Sequence, residues 1–443
     1  MRKIKLPGIL LSIGLILSAC GPVNPQIVTV EVTRIAKEPQ IVTVETTRIV
    51  HETQIVNAVV TRIVREMLVV TATPVPRLAV DVTPGATLPV PRIFHSATTL
   101  QDGRILLVGG SKAPNLQLTR AEIFDPANDS LSDVAPLHTP RHAHTATLLP
   151  DGRVLVVGGY NLPKQWLDDA EVYDPNADSW TVVRPLFSHG VYHTATLMQD
   201  GRVLVVGGTI RSGPGISATE RVEIFDPQTN SWTEASPLEF DRSSHMAQLL
   251  DDGRVLVAGG GGGEDGAHPG ADAVLYDPMT NTWSPSGAMI TPRIFGQSVL
   301  LPDGRILVTG GMAIKDEAQQ ILSASSEIYD PATNEWTAAA DLPQSRYGFS
   351  LVVVPDGQVL AVGGSRDWDC CLSQDSMVRE IESYDLSSNQ WQIVGQIPKP
   401  SEFATASLLP DGRLWIAGGR VDNDREPYLT ETWLISPPYI ISP

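Results

Sequence analysis

Pro150-Asp151-Gly152-Arg153-Val154-Leu155-Val156-Val157-Gly158-Gly159 decides the fold, because this stretch returns with small changes until there are seven copies. The Asp-Gly pair begins at Asp102, Asp151, Asp200, Asp252, Asp303, Asp356 and Asp411. Each copy closes on Gly-Gly, first at Gly109, Gly158, Gly207, Gly259, Gly310, Gly363 and Gly418, always seven residues after the Asp. Asp-Gly between two apolar runs signals a β-hairpin and predicts a type I′ turn, whose two central residues need φ > 0. The chain is thus organised around seven copies of one hairpin.

Outward from the hairpin the copies stay in register. Before each Asp-Gly lies a run such as His144-Thr145-Ala146-Thr147-Leu148-Leu149. After each Gly-Gly comes a loop and then a short run such as Ala170-Glu171-Val172-Tyr173-Asp174. Six residues past that Asp stands Trp180, Trp232, Trp283, Trp336 or Trp391, with Leu131 in the first copy. Each unit therefore reads as four short strands, A to D, and a four-stranded sheet repeated around an axis is a propeller blade. The Gly-Gly, the strand C aromatic and the strand D Trp together resemble the kelch repeat, over residues 78–443. The expected fold is all-β, a seven-bladed kelch-type β-propeller. Paired glycines permit close backbone approach where blades converge, and the Trp offers a large apolar area to wedge between blades.

Spacing also predicts how the ring closes. The seventh unit reaches strand C at Thr432 to Ser436 and has no Trp-like residue where strand D should stand. The strand D marker precedes the next Asp-Gly by 20 residues in every inner unit, and 20 before Asp102 is Val82. A strand near residues 79–83 is therefore expected to complete the last blade and remove a free sheet edge.

Ahead of the array the chain changes character. Arg2, Lys3 and Lys5 precede an apolar run from Leu6 to Leu17, which reads as an export signal and is too short to span a bilayer. Leu17-Ser18-Ala19-Cys20 resembles the lipobox of bacterial lipoproteins, which implies cleavage after residue 19 and a lipid on Cys20. The 14-residue repeat Gln26 to Ile35, Gln40 to Ile49 and Gln54 to Ile63 suits extended chain by its Val and Thr, and a coiled coil by its period. The division expected is 1–19 signal peptide, 20–77 lipid-anchored stalk and Pro/Thr linker, and 78–443 propeller. The location expected is the bacterial cell envelope, outside the cytoplasm, with the chain a monomer held to the membrane by its lipid.

Charge narrows the partners. The net charge of −18 is the sum of +3 in residues 1–5, +1 in residues 21–77 and −22 in residues 78–443. An acidic propeller excludes a nucleic-acid surface, which needs a basic patch. No serine-hydrolase elbow or phosphate loop is present, and the run Gly259 to Gly263 meets no helix pattern.

Unit length varies only between Gly-Gly and strand C, so variable B–C loops stand on a rigid frame, where binding residues concentrate. Trp166, Asp168 and Asp169, then Arg366, Asp367, Trp368 and Asp369, then Asp422, Asp424 and Arg425 are the candidates for a glycan- or protein-binding face. Trp beside carboxylates suits a saccharide. The acidic 422–426 run lacks EF-hand spacing, so Ca²⁺ is not expected there, and no cofactor is expected. Cys370 and Cys371 fall in the longest loop, as an adjacent-residue disulfide or as two thiols.

His95, His144, His193 and His245 align in strand A, with Arg92, Arg141, Arg242, Arg293 and Arg346 three residues before the aligned position. They read either as a metal ring near the axis or as repeat-encoded structural residues bonded to backbone. Val191-Tyr192-His193-Thr194-Ala195 resembles the segment of galactose oxidase that carries an adjacent Tyr-His copper pair. That resemblance implies a copper-dependent oxidase with Tyr192 and His193 as ligands. The leading expectation is a surface-tethered, non-catalytic binding module; the alternatives are that oxidase and a purely structural envelope protein.

Overall fold

A computed structural model describes residues 80–162, 165–212, 215–262, 268–315, 319–367, 376–421 and 428–436, with four short strands nearer the N-terminus. The chain divides into two compact units, Met1–Leu78 and Ala79–Pro443. In the first, Lys5–Leu6 pairs with Ile9–Leu10, and Thr43–Ile49 pairs antiparallel with Arg65–Thr71. Cys20 lies outside the described residues.

The second unit is a ring of seven four-stranded antiparallel sheets. Blade 2 shows the pattern: strand A Thr145–Leu148, B Val154–Val157, C Ala170–Asp174 and D Ser179–Val183, each paired with the next. Strand B, apolar throughout except for Thr309 at the end of blade 5, has neighbours on both edges and blades on both faces, so its four residues are buried in every blade. The Thr-rich A strands lie side by side round the axis and are half-buried.

The ring closes as the spacing predicts. Asp81–Pro84 is the fourth strand of blade 7, and Val82 faces Ile435 as Trp180 faces Tyr173 in blade 2. Val80 N–H also donates to Val394 O of blade 6 at 2.9 Å. Apolar packing continues across the seam, where Phe124 of blade 1 stacks on Trp415 of blade 7 at 4.0 Å between ring centres.

The inter-blade wedge is also as expected. Trp180 packs among Leu106, Val108 and Ile123 of blade 1, and its Nε1–H donates to Ala135 O there at 2.6 Å. Trp283 and Trp336 donate in the same way to Ser236 O and Ser286 O of the preceding blades.

The hairpin turn differs from the type I′ expectation. In all seven copies the glycine alone takes the left-handed conformation, with φ between 83° and 90°, and Asp does not. Gly152 N–H donates to Leu149 O at 3.0 Å, so residues 149–152 form a type I turn that ends on a left-handed glycine. The Asp explains the choice: Asp151 Oδ1 accepts from Arg153 N and Oδ2 from Arg153 Nε. Those bonds hold Asp in the right-handed region and leave the positive φ to glycine.

Candidate functional site: the axial cup

The D–A connections and the B–C loops lie at one end of the ring. In each blade a residue just before strand A forms a bridge with the residue after Gly-Gly: Ile93 with Ser111, His142 with Tyr160, Val191 with Thr209, Ser243 with Gly261, Ile294 with Met312, Tyr347 with Ser365, and Glu402 with Arg420. The next residue in each blade completes a ring of left-handed positions: Phe94, Ala143, Tyr192, Ser244, Phe295, Gly348 and Phe403, with φ between 52° and 63°. Left-handed backbone costs a non-glycine residue about 1–2 kcal/mol, so six of these seven residues hold strain. Backbone bonds fix it: Ala143 N–H donates to Phe94 O, Ser244 to Tyr192 O, Phe295 to Ser244 O and Phe403 to Gly348 O. Strain clustered at one end of a fold marks a place where side-chain direction matters.

These positions line an axial cavity of about 720 Å³ together with the His95, His144 and His193 rings. The lining is aromatic. Phe94 and Phe403 lie 4.2 Å apart, Tyr347 meets Phe403 edge-on at 5.6 Å, and Tyr192 meets Phe295 edge-on at 5.0 Å. From Phe94 the series runs on through His142 and Tyr160 to Trp166. Arg420 is the charged residue of the wall; its Nε donates to the fully buried Glu402 at 2.8 Å. Burial raises the Glu402 carboxyl above the usual range, and Arg420 opposes the shift.

The histidines are structural, bonded otherwise than expected. Each Nε2 meets the hydroxyl of a strand A residue in the preceding blade: His95 to Thr405 at 3.0 Å, His144 to Ser96, His193 to Thr145 and His245 to Thr194, each at 2.9 Å. The bond is to a neighbouring side chain, not to backbone, and it links the inner strands of blades 7, 1, 2, 3 and 4 in an arc. A Cβ on Gly158 would sit 2.9 Å from the His193 ring and 2.6 Å from Gly190 O, so the first glycine of the pair makes room for the next blade's histidine. Burial without a charged partner holds His95 and His193 neutral, their pKa lowered to about 3, and lowers His144 and His245 well below 6.5.

The arginines do not face the channel. Each is buried and meets a carboxylate of its own strand C: Arg92 with Glu122, Arg141 with Glu171 and Asp169, Arg242 with Asp272, Arg293 with Glu327, and Arg346 with Glu382. His189 stands in for Arg in blade 3 and meets Glu223 at 2.8 Å. The carboxylate also clamps the D–A connection: Glu171 accepts from His138 N and Thr139 N, Glu223 from Leu186 N and Phe187 N, and Glu327 from Ile290 N and Thr291 N. The strand C Glu stands two residues before the aromatic in blades 1, 2, 3, 5 and 6, at Glu122, Glu171, Glu223, Glu327 and Glu382. It gives way to Val274 in blade 4 and to Trp433 in blade 7, where the Arg is lost as well, at Ser401.

Of the predicted face residues, Trp166 lies on the cup side, on the short hairpin of Tyr160–Asn161 with Gln165–Trp166, and Asp168 is exposed beside it. Asp169 is a correction: it turns inward, buried, where Oδ1 meets Arg141 and Oδ2 accepts from Thr139. Arg366 is exposed and Asp367 half-buried at the start of the sixth loop. Trp368, Asp369, Cys370, Cys371, Asp422, Asp424 and Arg425 lie outside the described residues.

Tyr192 and His193 do not converge on one point. Tyr192 packs edge-on against Phe295, and His193 turns sideways to Thr145 with Nε2 engaged. Among the described residues no three His, Cys, Asp or Glu side chains come together as metal ligands. Tyr192 and His193 as placed do not fit a copper centre.

The fold is a β-propeller of seven kelch-type blades. Residues 140–311 match the KLHDC2/KLHL20/DRC7 Kelch-repeats domain model. Kelch-like protein terF of Aspergillus terreus is 30% identical over 186 residues, which is 41% of this chain and 40% of that protein. Kelch-like protein 34 of Homo sapiens is 30% identical over 187 residues, 41% of this chain and 27% of that protein. The chain thus spans less than half the length of these curated relatives. Among solved structures, a fungal alcohol oxidase of the AA5 family in complex with copper aligns with a TM-score of 0.66 at 21% identity, covering 82% of this chain and 77% of that one. At that identity the likeness is one of fold.

Proposed function

We propose that the protein is a non-catalytic binding module that takes a protein partner over the axial cup, with apolar side chains of the partner inserted among Phe94, Tyr192, Phe295 and Phe403. The observation that carries this reading is the ring of left-handed residues, which spends backbone strain to aim aromatic groups into one cavity. Concave, aromatic-lined sites with few polar groups suit binding, and aromatic residues are enriched where interfaces concentrate their energy. Kelch propellers are consistent with protein-interaction modules. On this reading Cys20 carries the lipid and residues 20–77 are the stalk that tethers the propeller at the cell envelope.

A glycan ligand is the second reading, favoured by half-buried Trp166 with exposed Asp168 two residues on. Both are tested together. A displayed random-peptide library and a glycan array are read with the wild-type protein and with Tyr192→Ala and Phe403→Ala. Peptides enriched by wild type and lost by both variants support the protein partner. Glycans retained by wild type and lost on Trp166→Ala support the second reading. Ligands indifferent to all three substitutions refute the cup as the site.

A further inference from the structure

Blade 4 breaks the carboxylate clamp. In blades 2, 3 and 5 a buried strand C Glu accepts from two consecutive N–H groups of the D–A connection and from the Arg or His that follows. In blade 4 that position is Val274. The matching N–H groups, three and two residues before Arg242, belong to Glu239 and Phe240, and among the described residues no group accepts from them. The pairing of strands C and D shifts register between Asp272 and Val274. A cavity of about 310 Å³ lies here, walled by Leu238, Phe240, Val274, Trp283 and Pro285, with Arg242, Asp272 and Glu239 also in its lining.

We propose that this cavity binds a carboxylate with an apolar body, the carboxylate occupying the place of the missing Glu. Arg242 is buried and engages Asp272, whose side chain is 56% exposed. That contact leaves room for a second carboxylate, because blade 2 holds both: Arg141 Nη2 meets Asp169 at 2.6 Å and Glu171 at 2.8 Å. The ligand's carboxylate is thus the blade 4 counterpart of Glu171, received by Arg242 and the N–H groups of Glu239 and Phe240. The apolar walls receive its body. The site is separate from the axial cup and does not rest on the reading of that cup. It accepts a small organic acid or a Glu side chain presented on a peptide, since both offer the same chemistry.

The test uses the purified protein and ligand-detected NMR with hexanoate, hexanamide, and a capped Leu-Glu-Leu peptide with its Gln counterpart. Hexanoate is expected to bind saturably, and hexanamide about tenfold or more weaker, as loss of charge-assisted bonds requires. Tighter binding of the Glu peptide than of hexanoate, lost in the Gln peptide, identifies a peptide as the source. Weaker binding of that peptide identifies a free acid. Val274→Glu supplies the carboxylate internally and is expected to abolish binding without lowering the unfolding midpoint. Val274→Phe, which fills the cavity with apolar volume, is expected to abolish binding as well and stands if the Glu variant does not fold. Equal binding of acid and amide, unchanged binding in both variants, or no saturation by about 20 mM overturns the proposal.

Discussion

Acid should loosen the arc of inner strands that the histidines link, and the size of the effect follows from their burial. His95 and His193 have folded-state pKa values of about 3, and His144 and His245 also lie well below 6.5. An unfolded His titrates near 6.5. Between pH 6.5 and 3 the unfolded chain therefore binds protons that the folded chain refuses, and stability falls as pH falls through that window. One pKa unit corresponds to about 1.4 kcal/mol, so each excluded His loses about 2 kcal/mol between pH 8 and pH 5. His193→Phe isolates one member. Phe349 already fills the equivalent slot in blade 6, against Gly310. At pH 8 the variant should lose about 1 kcal/mol with the Thr145 hydrogen bond. At pH 5 it should be the more stable protein, by about 1 kcal/mol, because it no longer carries the proton penalty. Urea unfolding at pH 8, 7, 6 and 5, read by tryptophan fluorescence, measures both curves. Parallel curves would refute the assignment of these rings as buried, neutral ties between blades.

Two further substitutions probe the same frame. Glu327→Gln leaves Arg293 buried without its counter-charge and should cost about 3–5 kcal/mol in urea unfolding; a loss below about 1 kcal/mol would contradict the buried ion pair. Gly348→Ala should destabilise by about 1–2 kcal/mol, since its φ is 63° and a new Cβ would meet the Phe403 ring at 3.0–3.3 Å, whereas Ala143→Gly should be neutral or stabilising in the same assay because it relieves strain at φ 53°.

What could be read from the sequence was whatever repeats as a residue type. The Gly-Gly pairs, the strand D Trp and the spacing that reached Val82 each recur, and they suffice for blade number, strand order and ring closure. The left-handed ring was not legible, because Phe94, Ala143, Tyr192, Ser244, Phe295, Gly348 and Phe403 share a backbone angle and no side-chain chemistry. Positive φ in Phe or Tyr is imposed by the neighbouring blades and carries no residue signature. The ion pairs were half legible: the Arg column was seen, and the Glu column that answers it was not, because an acidic residue in a strand first suggests a solvated face. Asp169 misled for the same reason, since its loop position hid the buried Arg141 that claims it.

The measurement that bears most directly on the reading of this propeller as a binder is its copper stoichiometry after copper loading, with peroxide release followed on galactose and simple aldehydes. With Tyr192 packed on Phe295 and His193 committed to Thr145, the account predicts no tightly held copper and no peroxide. About one copper per chain with turnover, both lost on His193→Phe, would contradict it.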